Sequence, residues 1–161
     1  NQQHGLNLVF TKPGCTFPSL LQNAGLMAKW SMTMPDVVYG ETGNDVVLPC
    51  HFTSPHKNYM GNITVRWRKD EAFVGAHIFS CSNKNELDCK KSDSHYSFSG
   101  NLRKNDLSLK ITAAKSDDAG KYFCRVELSN RADTFESSKG TELIISSKCL
   151  KSNYLFVHLQ S

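Results

Sequence analysis

Two cysteines, a tryptophan and one short run constrain this chain more than anything else in it. Cys50 and Cys124 flank Trp67, and the second cysteine closes the run Asp118-Ala119-Gly120-Lys121-Tyr122-Phe123-Cys124. Each member has a structural task in a two-layer β-sandwich. The cysteines join the layers, Trp67 packs on their bridge, Gly120 permits a turn, and the Tyr122 hydroxyl ties back to the backbone upstream. A Cys50–Cys124 bridge closes a loop of about 75 residues, worth about 4.5 kcal/mol in the chain-entropy estimate.

The surrounding residues alternate as half-buried strands do. Val46, Leu48 and Cys50 share one face, as do Ile63, Val65 and Trp67, leaving Thr64, Arg66 and Arg68 outward. Leu107, Leu109 and Ile111 repeat the pattern, and Tyr122, Cys124 and Val126 complete it. A last strand, Gly-Thr-Glu-Leu-Ile-Ile, follows Gly140, a natural bulge position. The order Cys…Trp…Cys on such strands predicts an all-β immunoglobulin sandwich. The long interval between the cysteines leaves room for two extra strands, which predicts the variable (V-set) form. The domain is expected over residues 31–147. Residues 1–30, punctuated by Pro13, Gly14, Pro18 and Gly25, read as a leader or flexible arm, and residues 148–161 as a short C-terminal tail.

Composition narrows the function. Six cysteines among 161 residues point to an oxidising, extracellular setting. Zinc is the competing use of Cys81 and Cys89, with His77 and His95 nearby, but the short C-x₂₋₄-C pairs of zinc sites are missing and no metal is expected. A net charge of +4 is too mild for a dedicated nucleic-acid binder, and the basic residues Lys90, Lys91, Arg103 and Lys104 are scattered. No apolar run reaches the ~20 residues of a membrane span. With no initiating Met and no signal-peptide pattern, the chain reads as a piece of a longer precursor, either the ectodomain of a single-pass receptor or secreted. There is no G-x-S-x-G, no H-E-x-x-H and no phosphate loop, so neither an enzyme nor a cofactor is expected.

Binding is therefore the expected function, and one sheet face invites it. With Tyr122 and Cys124 inward, Phe123, Arg125 and Glu127 point out, beside Arg66 and Arg68 on the neighbouring strand. Up to three guanidinium groups thus crowd the face of the strands lettered G, F and C in such folds. In one reading Arg125 pairs with Glu127 or a cross-strand acid and only solubilises the sheet. In the other, its planar fork grips a ligand carboxylate.

The run Asp-Ala-Gly-Lys-Tyr-Phe-Cys-Arg125-Val-Glu resembles the sialic-acid-binding immunoglobulin-type lectins, whose essential arginine directly follows this motif. Most of that family have Phe where this chain has Cys124. One branch keeps the cysteine, with counterparts of Trp30-Ser-Met, of Leu48-Pro-Cys-His-Phe-Thr-Ser-Pro-His-Lys-Asn-Tyr, of Asn105-Asp-Leu-Ser-Leu and of Phe135-Glu-Ser. The resemblance covers about residues 30–147. It implies a Cys81–Cys89 disulfide and a cell-surface lectin binding sialylated glycoproteins or glycolipids. Arg125 would hold the sialic acid carboxylate, with Phe135 against the glycerol arm, main-chain groups after Phe135 on the polar arms and Phe73 at the border; Arg68, outward on the same face by alternation, is expected among the binding residues with them. It also implies coupling to a signalling adaptor through a membrane segment outside this chain. Either aromatic could equally serve cross-strand packing. The rival function is a V-set adhesion or co-inhibitory receptor domain that binds a protein ligand.

Three further expectations follow. His95 stands where such domains tend to carry an arginine, and should pair with Asp118. Asn62-Ile63-Thr64 is a glycosylation sequon at Asn62. Cys15 and Cys149, beyond the resembling region, could pair with each other or with a second chain.

Overall fold

A computed structural model describes residues 29–129 and 133–148. Among them the chain runs through β1 (Ser31–Thr33), β2 (Val37–Glu41), β3 (Val46–Leu48), β4 (His51–Thr53), β5 (Ile63–Lys69), β6 (His77–Ser82) and β7 (Asp88–Lys91). It continues through β8 (Tyr96–Phe98), β9 (Leu109–Ile111), β10 (Gly120–Leu128), β11 (Thr134–Glu136) and β12 (Thr141–Ser146). Short 3-10 turns at Leu102–Lys104 and Ser116–Asp118 lie between strands.

The larger sheet has the order β2-β12-β10-β5-β6-β7, with β11 also on β10. The facing sheet is β3-β9-β8, and β1 pairs with β4. The extra strands β6 and β7 beside β5 make this the V-set arrangement. Alternation explains the layering. Val46, Leu48, Ile63, Val65, Trp67, Leu107, Leu109, Ile111, Tyr122, Cys124 and Val126 are all buried between the sheets. Cys50 and Cys124 are disulfide-bonded across the layers. The Trp67 indole N–H donates to the Leu107 carbonyl at 3.0 Å, and the Tyr122 hydroxyl donates to the Asp118 carbonyl at 2.6 Å. Both buried polar groups are thereby satisfied.

Cys81 and Cys89 are directly opposed on β6 and β7 and form the second disulfide. Their thiols are therefore committed to each other, not to a metal. Gly140, between β11 and β12, has φ +64°, and a Cβ there would lie 2.8 Å from the Phe123 ring and the Tyr122 carbonyl. The chain can cross Phe123 at this point only as glycine.

Trp30, inside the segment expected to be an arm, instead packs on the sandwich, its ring 6.4 Å from that of Phe52. The rest of that arm, the tail beyond Lys148, and both Cys15 and Cys149 lie outside the described residues. Among the described residues no helix is long and apolar enough to cross a membrane.

Candidate anion-binding face

Strand register assembles the site. Arg125 on β10 stands opposite Arg66 on β5 and opposite Glu136 on β11. The same row continues from Arg66 to Ser80 on β6 and Lys90 on β7. Because directly opposed residues share a face, this row runs across the outer surface of the larger sheet.

Here the arginines meet two carboxylates in alternation. Arg66 Nε lies 3.2 Å from Glu127 Oε1, and Arg125 Nε donates to the same oxygen at 2.8 Å. Arg125 Nη1 reaches Glu136 Oε2 at 3.3 Å, and Arg68 Nε donates to Glu136 Oε1 at 3.0 Å. Three guanidinium groups thus share two carboxylates, so each arginine is paired and the five side chains together carry one net positive charge. Burial acts to raise the Glu127 pKa, yet the hydrogen bond from Arg125 and the adjacent charges of Arg125 and Arg66 hold it below the usual range. Burial acts to lower that of Arg125, yet Glu127 and Glu136 raise it. Both groups are charged at neutral pH. His77 is pushed the other way, first by burial and then by Arg68 and Arg66. It is neutral at neutral pH and adds no charge to the face.

The expected site residues divide. The Arg125 side chain is 23% exposed, with Nε and Nη1 engaged by Glu127 and Glu136. Arg68 departs from the expectation that it points outward on an exposed face. A register shift between Trp67 and Arg68 interrupts the alternation, and its side chain is only 9% exposed. Its Nε is held by Glu136 and its Nη1 by the Gly75 carbonyl. Arg68 therefore braces the face from beneath.

Phe135 is not on this face. It opposes Val126, whose side chain is in the core. Its ring stacks on Trp30 with centroids 5.9 Å apart and planes 4° apart. A residue one position away from Arg125's partner points to the opposite side of the sheet. Phe73 is on the arginine side. The residue is 54% exposed, and its backbone N–H donates to Glu136 Oε1 at 2.9 Å. Phe123, though on the outer face, is buried, with Lys121 Nζ 5.9 Å above its ring.

Asn62 immediately precedes β5, with its N–H bonded to Ser129 Oγ and its carbonyl to the Tyr59 hydroxyl. His95 meets Asp118 as expected, Nε2 to Oδ1 at 2.7 Å, and also lies beside Asp93. Glu136 is the member that sequence reasoning missed. The signal for it was charge arithmetic, since three arginines on one face require carboxylates beyond Glu127.

Comparison with known proteins agrees with this architecture. The immunoglobulin V-set domain profile matches residues 33–146. Human sialic acid-binding Ig-like lectin 15 is 40% identical over 121 residues, which are 71% of this chain and 37% of that protein. The mouse hepatitis A virus cellular receptor 1 homolog is 31% identical over 93 residues, 56% of this chain and 29% of the other. The chain thus spans little more than a third of the lectin's length. A solved structure of Tim-1 superposes with a TM-score of 0.56 at 24% identity, over 72% of this chain and 96% of that one. That of Tim-4 in complex with phosphatidylserine gives 0.53 at 19%, over 70% and 99%. At these identities the two structures speak for the fold alone.

Proposed function

The chain belongs to the immunoglobulin V-set family, and on that premise we propose that the β10–β5 face binds sialylated glycans, with Arg125 receiving the sialic acid carboxylate. The coarser statement needs no proposal: this is an extracellular immunoglobulin-type receptor domain, and its relatives are receptors and lectins, not enzymes. Forty per cent identity to a sialic acid-binding lectin motivates the finer one. The observation that carries it is the charge imbalance, three arginines against two glutamates, next to an accessible aromatic ring.

The contacts limit how the ligand enters. Glu127 takes Arg125 Nε and Glu136 takes one N–H of Nη1, so a ligand carboxylate has to approach the remaining N–H groups of the two terminal nitrogens. A planar fork suits that approach. One charge-assisted interaction contributes only ~1.5–3 kcal/mol, whereas a millimolar complex needs about 4.1. An apolar contact must supply the remainder, and exposed Phe73, whose N–H is bonded to Glu136, suits that role better than Phe135, which stacks on Trp30. Single-site binding is accordingly weak, and attachment requires clustered domains on clustered glycans.

The test is binding of the Fc-clustered domain to a sialoglycan array, before and after sialidase, with Arg125→Ala alongside. Loss in both arms supports the reading, and unchanged binding in either overturns it. The second reading, a protein ligand, is favoured by Val37, Tyr39 and Ile144, which expose an apolar strip along β2 and β12. Substituting Tyr39 and Ile144 by serine would abolish that mode and leave glycan binding intact.

A further inference from the structure

Within the proposed site one buried carboxylate joins parts that are otherwise separate. The Glu136 side chain is 1% exposed. Its Oε1 accepts from Arg68 Nε at 3.0 Å and from the Phe73 N–H at 2.9 Å, while its Oε2 faces Arg125 Nη1 at 3.3 Å. The backbone around Phe73 needs such a hold. Asp70 and Phe73 have φ of +68° and +64°, a left-handed conformation that a bulky residue adopts only when its surroundings enforce it. The Phe73 N–H bond to Glu136 and the Gly75 carbonyl bond from Arg68 are two such restraints.

We infer that Glu136 is the positioning residue of this face: its two oxygens set the guanidinium of Arg125 and the ring of Phe73 at a fixed separation, so that ligand meets a preformed site. The ligand assignment rests on the glycan reading above, but the coupling itself does not. Glu136 touches no ligand in this scheme. It removes rotamer freedom from Arg125 and loop freedom from Phe73 before binding, which otherwise must be lost during it.

Charge alone predicts the opposite outcome on mutation, and that separates the two accounts. Glu136→Gln removes an anion from the face, so an electrostatic competitor role would strengthen binding of a carboxylate. A positioning role weakens it, because the amide turns a donor toward Arg125 while its carbonyl still serves Phe73 and Arg68. The experiment titrates the ¹⁵N-labelled domain with a monovalent sialoside by NMR, following the Arg125 Nε–Hε signal and the exchange rate of the Phe73 amide.

Glu136→Gln should broaden or shift the Arg125 signal, keep Phe73 protected, and weaken the sialoside at least fivefold with the Trp67 indole signal unmoved. Should Arg68 without its partner unfold that variant, Arg68→Met/Glu136→Leu replaces the buried pair with apolar side chains. Measured against Arg68→Met alone, the double variant should speed Phe73 exchange at least tenfold. Tighter binding by Glu136→Gln, or Arg125 and Phe73 signals indifferent to both changes, would overturn the inference. If the wild-type domain binds no sialoside but Arg125 and Phe73 respond as described, the positioning role stands and the glycan reading falls.

Discussion

Trp30 and Phe135 lie face to face, their planes 4° apart, on the side of the larger sheet away from Arg125. This stack joins the segment before β1 to β11 and closes that end of the core, where Phe52 also meets Trp30. Phe135→Ala should therefore act on stability. Full burial of a phenylalanine is worth ~3–5 kcal/mol on truncation, and this half-buried ring should cost about 2, measured by urea unfolding. Arg125-dependent glycan binding should stay within about twofold of wild type. A binding loss without a stability loss would return Phe135 to the ligand site.

His95 links stability to pH. Burial works to lower its pKa, but Asp93 and Asp118 raise it above the ordinary value of 6.5. The stability from its charge is then complete below about pH 6.5 and is lost as pH rises through the raised value. Asp93 behaves in reverse. Hydrogen bonds from His95 hold its pKa at about 2 against an ordinary 3.8, so its contribution is present above pH 3.8 and fades toward 2. The urea midpoint should be highest between about pH 4 and 6.5 and decline toward pH 8. His95→Gln should flatten the upper decline. A wild-type midpoint that does not move between pH 5.5 and 8 would contradict the pair's role.

Where side chains alternate without interruption, the residues alone disclose their positions. The inward sets on β3, β5, β9 and β10 are buried as the period of two requires. The departures come where that period breaks or register is unknown. A bulge after Trp67, together with the Phe73–Gly75 loop, covers Arg68, and nothing in the local pattern announces it. For Phe135 the difficulty is different. Its face depends on how β11 registers against β10, and a slip of one residue reverses every side chain. The same register places Glu136 opposite Arg125, so one unreadable quantity hid both facts.

The Cys81–Cys89 disulfide ties the edge strand β7, whose residues are all exposed, to β6. Replacing both cysteines by serine should cost about 2.5 kcal/mol by the chain-entropy estimate for so short a loop. The larger effect should be local. Amides of β7 should exchange much faster, while those of β10 follow global unfolding. Uniform acceleration of both strands would show that β7 is part of the central cooperative unit.

Arg125→Lys is the sharpest substitution at the proposed site, because it keeps the charge and removes the fork. An ammonium can still approach Glu127 or Glu136, but it cannot hold both and also present two parallel donors to a ligand carboxylate. The side chain is 23% exposed, and although Glu136 behind it is buried at 1%, the lysine ammonium keeps a positive charge within reach of Glu127 and Glu136. Stability should therefore change by no more than about 1 kcal/mol. Sialoside affinity should fall at least tenfold, and the residual binding should lose its preference for a carboxylate over a neutral sugar. Titration of the wild type and of Arg125→Lys with a sialoside and with its carboxamide analogue measures this preference. If Arg125→Lys binds the sialoside as wild type does, charge rather than fork geometry selects the ligand, and Arg66 at the same surface becomes an equivalent candidate.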